Sequence, residues 1–142
     1  MGDASLKDCF IESALDRKKK RAITFIRNRK IETEISYLEL HQESNRLANT
    51  FSNFGVEKGD RVILFIGKSL IFVITHFALQ KIGAIAVPLN PGFKKSEMQY
   101  LLEDADAKLI LSEPEKENLI KEIDPKLTTL AIDTRKPYQK LD

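Results

Sequence analysis

Tryptophan is absent from this chain and cysteine occurs once, at Cys9. A lone thiol excludes an intrachain disulfide framework and any cysteine-based metal site, and it points to a reducing compartment, hence a cytoplasmic protein. Histidine occurs only at His41 and His76, neither with an HxxxH or HxxE neighbour, so no histidine metal motif is present. Glycine-rich phosphate cradles are also lacking. Gly67-Lys68-Ser69 imitates the end of a P-loop, but a true one needs glycine five places before Gly67, and that position is Val62. The most apolar run, Ser69 to Leu79, is too short to span a membrane and contains His76, which favours a buried helix. Met1 to Cys9 carries charges at Asp3, Lys7 and Asp8 and no apolar core, unlike a secretory signal. No internal repeat is visible.

Charge is nearly balanced, at +2, which argues against a nucleic-acid partner. The 142 residues fit one domain, and 42% hydrophobic against 31% charged content describes a folded, soluble chain. Ser5 with Asp8 marks a short first helix, to Leu15. Arg17-Lys18-Lys19-Lys20-Arg21 follows; a polyanion or nuclear-localisation patch is the sharper reading and a solvated loop the plainer, favoured one. Ala22–Arg27 and Ile31–Ile35 read as a hairpin around Asn28-Arg29-Lys30. Ser36 and Glu39 form a capping box, with Ile35 and Leu40 placed for the staple around it. That helix runs to Phe54 with Gln42, Glu43, Asn45, Arg46 and Asn49 on its polar face, and Gly55 stops it.

Val56–Pro91 reads as a βαβ unit. Arg61–Ile66 suits a central parallel strand covered on both faces. Leu70–Ile82 is apolar almost all round; its β-branched residues permit a strand, while length and Gly83 favour a helix. Ala84–Leu89 is the next strand, limited by Pro88 and Pro91. Ser96 and Gln99 suggest another capping box, with Met98, Leu101, Leu102 and Ala105 on one face. Lys108–Leu111 is a short strand, Ser112 with Pro114 and Glu115 opens a helix closed by Pro125, and Thr128–Ile132 is a last strand. Asp133–Asp142 reads as a polar loop or tail. The expected fold is a doubly wound, mostly parallel α/β sheet with helices on both faces, preceded by a short helix and a β-hairpin. The expected divisions are 1–21 (helix and basic loop), 22–132 (α/β unit) and 133–142 (tail).

Catalytic signals are weak. His76 reads as a packed side chain and His41 as exposed. Ser44, Ser52 and Ser96 lack a G-x-S-x-G elbow. Glu103, Asp104 and Asp106 read as a solvated helix end rather than a metal site. From the residues alone, no catalytic, cofactor-binding or metal-binding residue is assigned.

The order of motifs nevertheless has a family resemblance. Ser36-Tyr37-Leu38-Glu39-Leu40 resembles the T-Y-x-E-L start of AMP-forming acyl-CoA synthetases. Asn45-Arg46-Leu47-Ala48-Asn49 resembles their N-R-L-A helix, and Gly55–Val62 their G-V-x-K-G-D-R-V turn. Gly83-Ala84 with Val87–Pro91 is similar to G-A-x-x-V-P-L-N-P, and Glu97 with Tyr100–Ala107 to E-L-x-Y-x-L-x-D-S-x-A-K. The resemblance runs from about Ala22 to Leu111. Gly67-Lys68 departs from it, since the family usually has asparagine and proline nearby.

The resemblance implies a partial N-terminal domain of an adenylate-forming ligase acting in fatty-acid metabolism. Such an enzyme joins a carboxylic acid to ATP, giving acyl-adenylate and pyrophosphate, then passes the acyl group to coenzyme A; Mg2+ assists the first half. In the family the phosphate loop, nucleotide contacts, magnesium ligand and catalytic lysine fall in parts that would follow Asp142. The segment alone is therefore expected to be inactive and to bind neither ATP, Mg2+ nor coenzyme A, its natural partner being the C-terminal portion of the ligase. The alternative is a truncated, non-catalytic binding or interaction module.

Overall fold

The computed structural model describes residues 5–138. In chain order its elements are α1 (Leu6–Asp16), β1 (Arg21–Arg27), β2 (Lys30–Ser36), α2 (Tyr37–Asn53), β3 (Arg61–Phe65), α3 (Leu70–Ile82), β4 (Ile85–Pro88), α4 (Lys95–Ala105) and β5 (Leu109–Ser112). A 3-10 turn (Pro114–Lys116), α5 (Glu117–Ile123) and β6 (Thr128–Ala131) complete it. β1 and β2 pair antiparallel, Phe25 opposite Thr33 and Ile26 opposite Ile31. The other four strands form one parallel sheet in the order β4-β3-β5-β6.

β3 shows why the apolar run at Arg61–Ile66 is continuous. Val62, Leu64 and Ile66 join the core shared with α1, α2 and α3, while Ile63 and Phe65 join the core under α4 and α5. Both sets are buried, as a strand flanked by two others and covered on both faces requires. Each such side chain contributes about 1.5–3 kcal/mol by leaving water. The doubly wound arrangement with helices on both faces is thus present.

Local signals set most element ends. Ser5 caps α1 and Ser36 caps α2: their hydroxyls accept from the Asp8 and Glu39 N–H groups, and those carboxylates accept from the Ser5 and Ser36 N–H groups. Gly83 ends α3 at φ 73°, in the left-handed region; a Cβ there would also meet Lys58 Cγ at 3.0 Å, so a side chain is disfavoured twice over.

Two expected caps are displaced. α4 starts after Lys94, not at Ser96: Glu97 reaches back to accept from the Lys94 N–H at 2.7 Å. A carboxylate makes a stronger bond to that amide than the Gln99 amide would make two residues later. Ser112 is the last residue of β5, paired with Ala131, and Glu113 precedes the 3-10 turn instead. α2's polar face is also less polar in fact, because Glu43 is buried.

Candidate functional site

In a parallel sheet the functional crevice lies at the carboxyl ends of the strands, where successive connections leave toward opposite faces. Here that point lies between β3 and β5. The chain leaves β3 through α3 to reach β4 on one side, then returns through α4 to β5 on the other. The residues met there are Gly67-Lys68-Ser69 after β3 and Glu113 after β5.

The buried Glu113 carboxylate occupies this position. It accepts from the Gly67 N–H at 3.1 Å, from the Thr134 N–H at 3.1 Å and from the Thr134 hydroxyl. A Cβ on residue 67 would lie 3.2 Å from Thr134 Oγ1, so glycine lets the strand end approach that close. Ser69 closes the turn: its hydroxyl donates to the Gly67 carbonyl at 3.1 Å and accepts from the Phe72 N–H at 3.2 Å, capping α3. Gly67–Ser69 is therefore a strand-to-helix turn tied to an internal carboxylate.

The segment after β6 crosses this end of the sheet. Besides Thr134, it is held by Arg27, whose guanidinium donates to the Thr134 carbonyl at 2.7 Å and to Glu32 at 2.7 Å. Tyr138 donates its hydroxyl to the buried Glu43 carboxylate, which also receives Arg46 at 2.6 Å. Burial, and then the Glu43 carboxylate, push the Tyr138 phenol above its usual range. The polar tail expected at 133–142 is thus docked as far as Tyr138; residues 139–142 lie outside the described residues. Between this segment, the hairpin and the start of α3 lies a cavity of about 300 Å³.

A second polar cluster joins α2 to α3. The Lys81 ammonium donates to the His41 carbonyl at 3.0 Å, Ser44 Oγ at 2.7 Å and Asn45 Oδ1 at 2.8 Å, and lies 3.0 Å from His41 Nδ1. It also sits 5.2 Å from the centre of the Phe10 ring of α1. Burial pushes Lys81 down to about 8. Burial, then the Lys81 charge, lower His41. His41 is half-buried, not exposed as expected, because Lys81 and Phe10 pack over it. His76 is packed edge-on against Phe72 and lowered by burial.

The other residues weighed for chemistry stay apart. Ser44 is fully buried and donates back to the Leu40 carbonyl at 2.7 Å. Ser52 and Ser96 are exposed, as are Glu103, Asp104 and Asp106. Arg17–Arg21 forms an exposed turn whose Lys18 and Lys20 carbonyls accept from the Leu38 and Tyr37 N–H groups, serving the start of α2. Among the described residues no three His, Cys, Asp or Glu side chains are grouped to hold a metal, and no helix is long and apolar enough to cross a membrane.

Fold order, strand polarity and the Gly55–Arg61 and Gly83–Pro91 turns together define a class. Residues 10–141 match the AMP-binding enzyme family, and the chain belongs to it. Over 77 residues it is 43% identical to a crotonobetaine/carnitine–CoA ligase of Escherichia coli, a match covering 54% of this chain and 15% of that relative. ATP-bound MatB from Rhodopseudomonas palustris superposes with a TM-score of 0.83 at 27% identity, covering 94% of this chain and 26% of that one. The O-succinylbenzoate coenzyme A synthetase MenE from Bacillus subtilis shares the fold, with a TM-score of 0.75 at 21% identity, over 94% of this chain and 34% of that one. The chain thus spans about a seventh of the curated relative's length and a quarter to a third of these structures.

Proposed function

We propose that this chain is the amino-terminal scaffold of an ATP-dependent, AMP-forming acyl-CoA ligase. The observation that carries this reading is the 43% identity to a carnitine–CoA ligase over 77 residues. The ligase joins a carboxylic acid to ATP as an acyl-adenylate and transfers the acyl group to coenzyme A. Magnesium would neutralise phosphate charge in the first half. The residues described here take no chemical part in that scheme. They build a four-stranded parallel sheet and hold the carboxyl ends of β3, β5 and β6 in fixed register through Glu113, Thr134 and Gly67.

The proposal separates scaffold from chemistry, and nucleotide binding tests that division. Calorimetric titration of the 142-residue chain with ATP and excess magnesium is expected to give no saturable heat. Saturable binding at micromolar nucleotide would overturn the assignment of this chain as scaffold alone.

A further inference from the structure

The basic run between α1 and β1 is held in place by its backbone. The Arg17 N–H donates to the Ser13 carbonyl and the Lys20 N–H to the Arg17 carbonyl, both at 2.9 Å. The Lys18 and Lys20 carbonyls accept from the Leu38 and Tyr37 N–H groups at 3.1 and 2.9 Å, which ties the turn to the start of α2. The side chains have no such duty. Every residue from 15 to 21 is exposed. Among the described residues, Arg17, Lys18, Lys19 and Lys20 make no side-chain hydrogen bond or ion pair.

The charge here is one-sided. Asp16 precedes the run, Glu12 lies a turn further back on α1, and Glu34 pairs with Arg21 at 3.2 Å. Asp16 and Glu34 offset two of the five cations and leave three uncompensated at one exposed turn. The whole chain carries 23 basic and 21 acidic residues, so without the run it is net acidic. The run also lies at the positive pole of α2, where further cations are disfavoured, and Glu39 of that first turn is committed to the Ser36 N–H at 3.2 Å. Folding gains little from these side chains, whereas an external anion would offset their charge. Beside them Leu15 is 54% exposed, which puts an apolar side chain next to the cations.

We propose that residues 15–21 dock on an anionic phospholipid surface, with the cations on the headgroups and Leu15 in the interface. A surface that meets only this turn is attracted by it, and repulsion from the acidic remainder fixes which side of the molecule faces the lipid. A single-stranded nucleic acid fits less well. It needs cations spread along several phosphates and aromatic rings on which bases stack, and residues 15–21 contain no aromatic residue. The docking surface uses no nucleotide and no ligase chemistry, so it stands or falls independently of the ligase reading.

The test is co-sedimentation of the 142-residue chain with vesicles of phosphatidylcholine alone and of equal parts phosphatidylcholine and phosphatidylserine. Three uncompensated cations are expected to favour the anionic vesicles roughly hundredfold, a preference that shrinks as salt is raised. Lys18→Gln with Lys19→Gln is expected to lose roughly thirtyfold of it, and Lys18→Glu with Lys19→Glu all of it. Thermal melts of both pairs are expected to match the parent, because the carbonyls and not the side chains hold α2. Lys94→Glu with Lys126→Glu makes the same charge change at two exposed positions elsewhere and is expected to keep most of the preference. Leu15→Ala is expected to weaken binding to anionic vesicles roughly tenfold. Equal sedimentation with the two vesicle types, an equal loss in the Lys94/Lys126 pair, undiminished binding by Leu15→Ala, or binding of single-stranded RNA through the turn without binding of vesicles would each overturn the proposal.

Discussion

The face of the sheet under α3 and the face under α4 are covered by different means. On the α3 face, three helices and part of the hairpin bury eighteen core residues, from Phe10 to Leu111. Polar bridges between distant segments fasten the same layer: Lys81 to His41, Ser44 and Asn45, and Tyr138 to Glu43. On the α4 face, two shorter helices bury six residues, Ile63, Phe65, Met98, Leu102, Ile110 and Ile120, and the ion pair from Lys95 to Glu122 is exposed on both sides. Exposed pairs of that kind contribute about 0–1 kcal/mol. The difference teaches that the α3 layer is fixed in position as well as buried, while the α4 layer is held mainly by apolar contact.

Truncating a core side chain on each face is the strongest way to break that comparison. Phe51→Ala removes a fully buried ring under α2 and is expected to cost about 3–5 kcal/mol. Met98→Ala, also fully buried, is expected to cost about 2–3 kcal/mol, because the thin α4 layer collapses more easily onto the gap. Urea unfolding measures both. A larger loss at Met98 than at Phe51 would reverse the ranking of the two faces.

A smaller change sharpens it. Ser36→Ala removes the hydroxyl that accepts from the Glu39 N–H at 3.1 Å and is expected to lower stability by about 1 kcal/mol. Ser96→Ala is expected to change it by less than about 0.5 kcal/mol, because Ser96 caps nothing. Equal losses at the two serines would contradict the start assigned to α4.

A pH dependence is also seated in the α3 layer. Lys81 is lowered to about 8 by burial, against an unfolded value near 10.4. Between those values the unfolded chain binds more protons than the folded one, so this group makes stability rise with pH from about 8 to about 10.4. His41 is lowered too; its contribution is full above about 6.5 and declines as pH falls through its folded value. Urea midpoints of the parent and Lys81→Met are therefore expected to diverge as pH is raised from 8 to 10, the parent gaining relative to the variant. Parallel curves would remove Lys81 from the account.

What the sequence made legible follows from range along the chain. Ser36 with Glu39, Gly83, and the unbroken apolar run of β3 declare themselves within a few residues, and the structure keeps each. The α/β order and the resemblance at Gly55–Val62 and Val87–Pro91 led to the family. Ser96 and Ser112 misled because capping residues abound in polar segments, and the choice among them depends on which neighbouring carboxylate reaches back. The bonds that shape the carboxyl end of the sheet join residues far apart: Glu113 with Thr134, Tyr138 with Glu43. No local pattern signals such pairs, so by sequence Glu43 falls on the polar face of its helix and Asp133–Asp142 reads as a polar loop or tail. His41 was read as exposed for the same reason, since Lys81 lies a full helix and strand away in sequence.

The central claim is that these residues form the scaffold layer of an AMP-forming ligase and perform none of its chemistry. Carboxylate-dependent ATP–pyrophosphate exchange, measured on the 142-residue chain beside a whole ligase of the family, tests it most directly. The account predicts no exchange above the protein-free control at any carboxylate concentration, while the whole ligase exchanges. Exchange by the 142-residue chain that rises with carboxylate and saturates would contradict it.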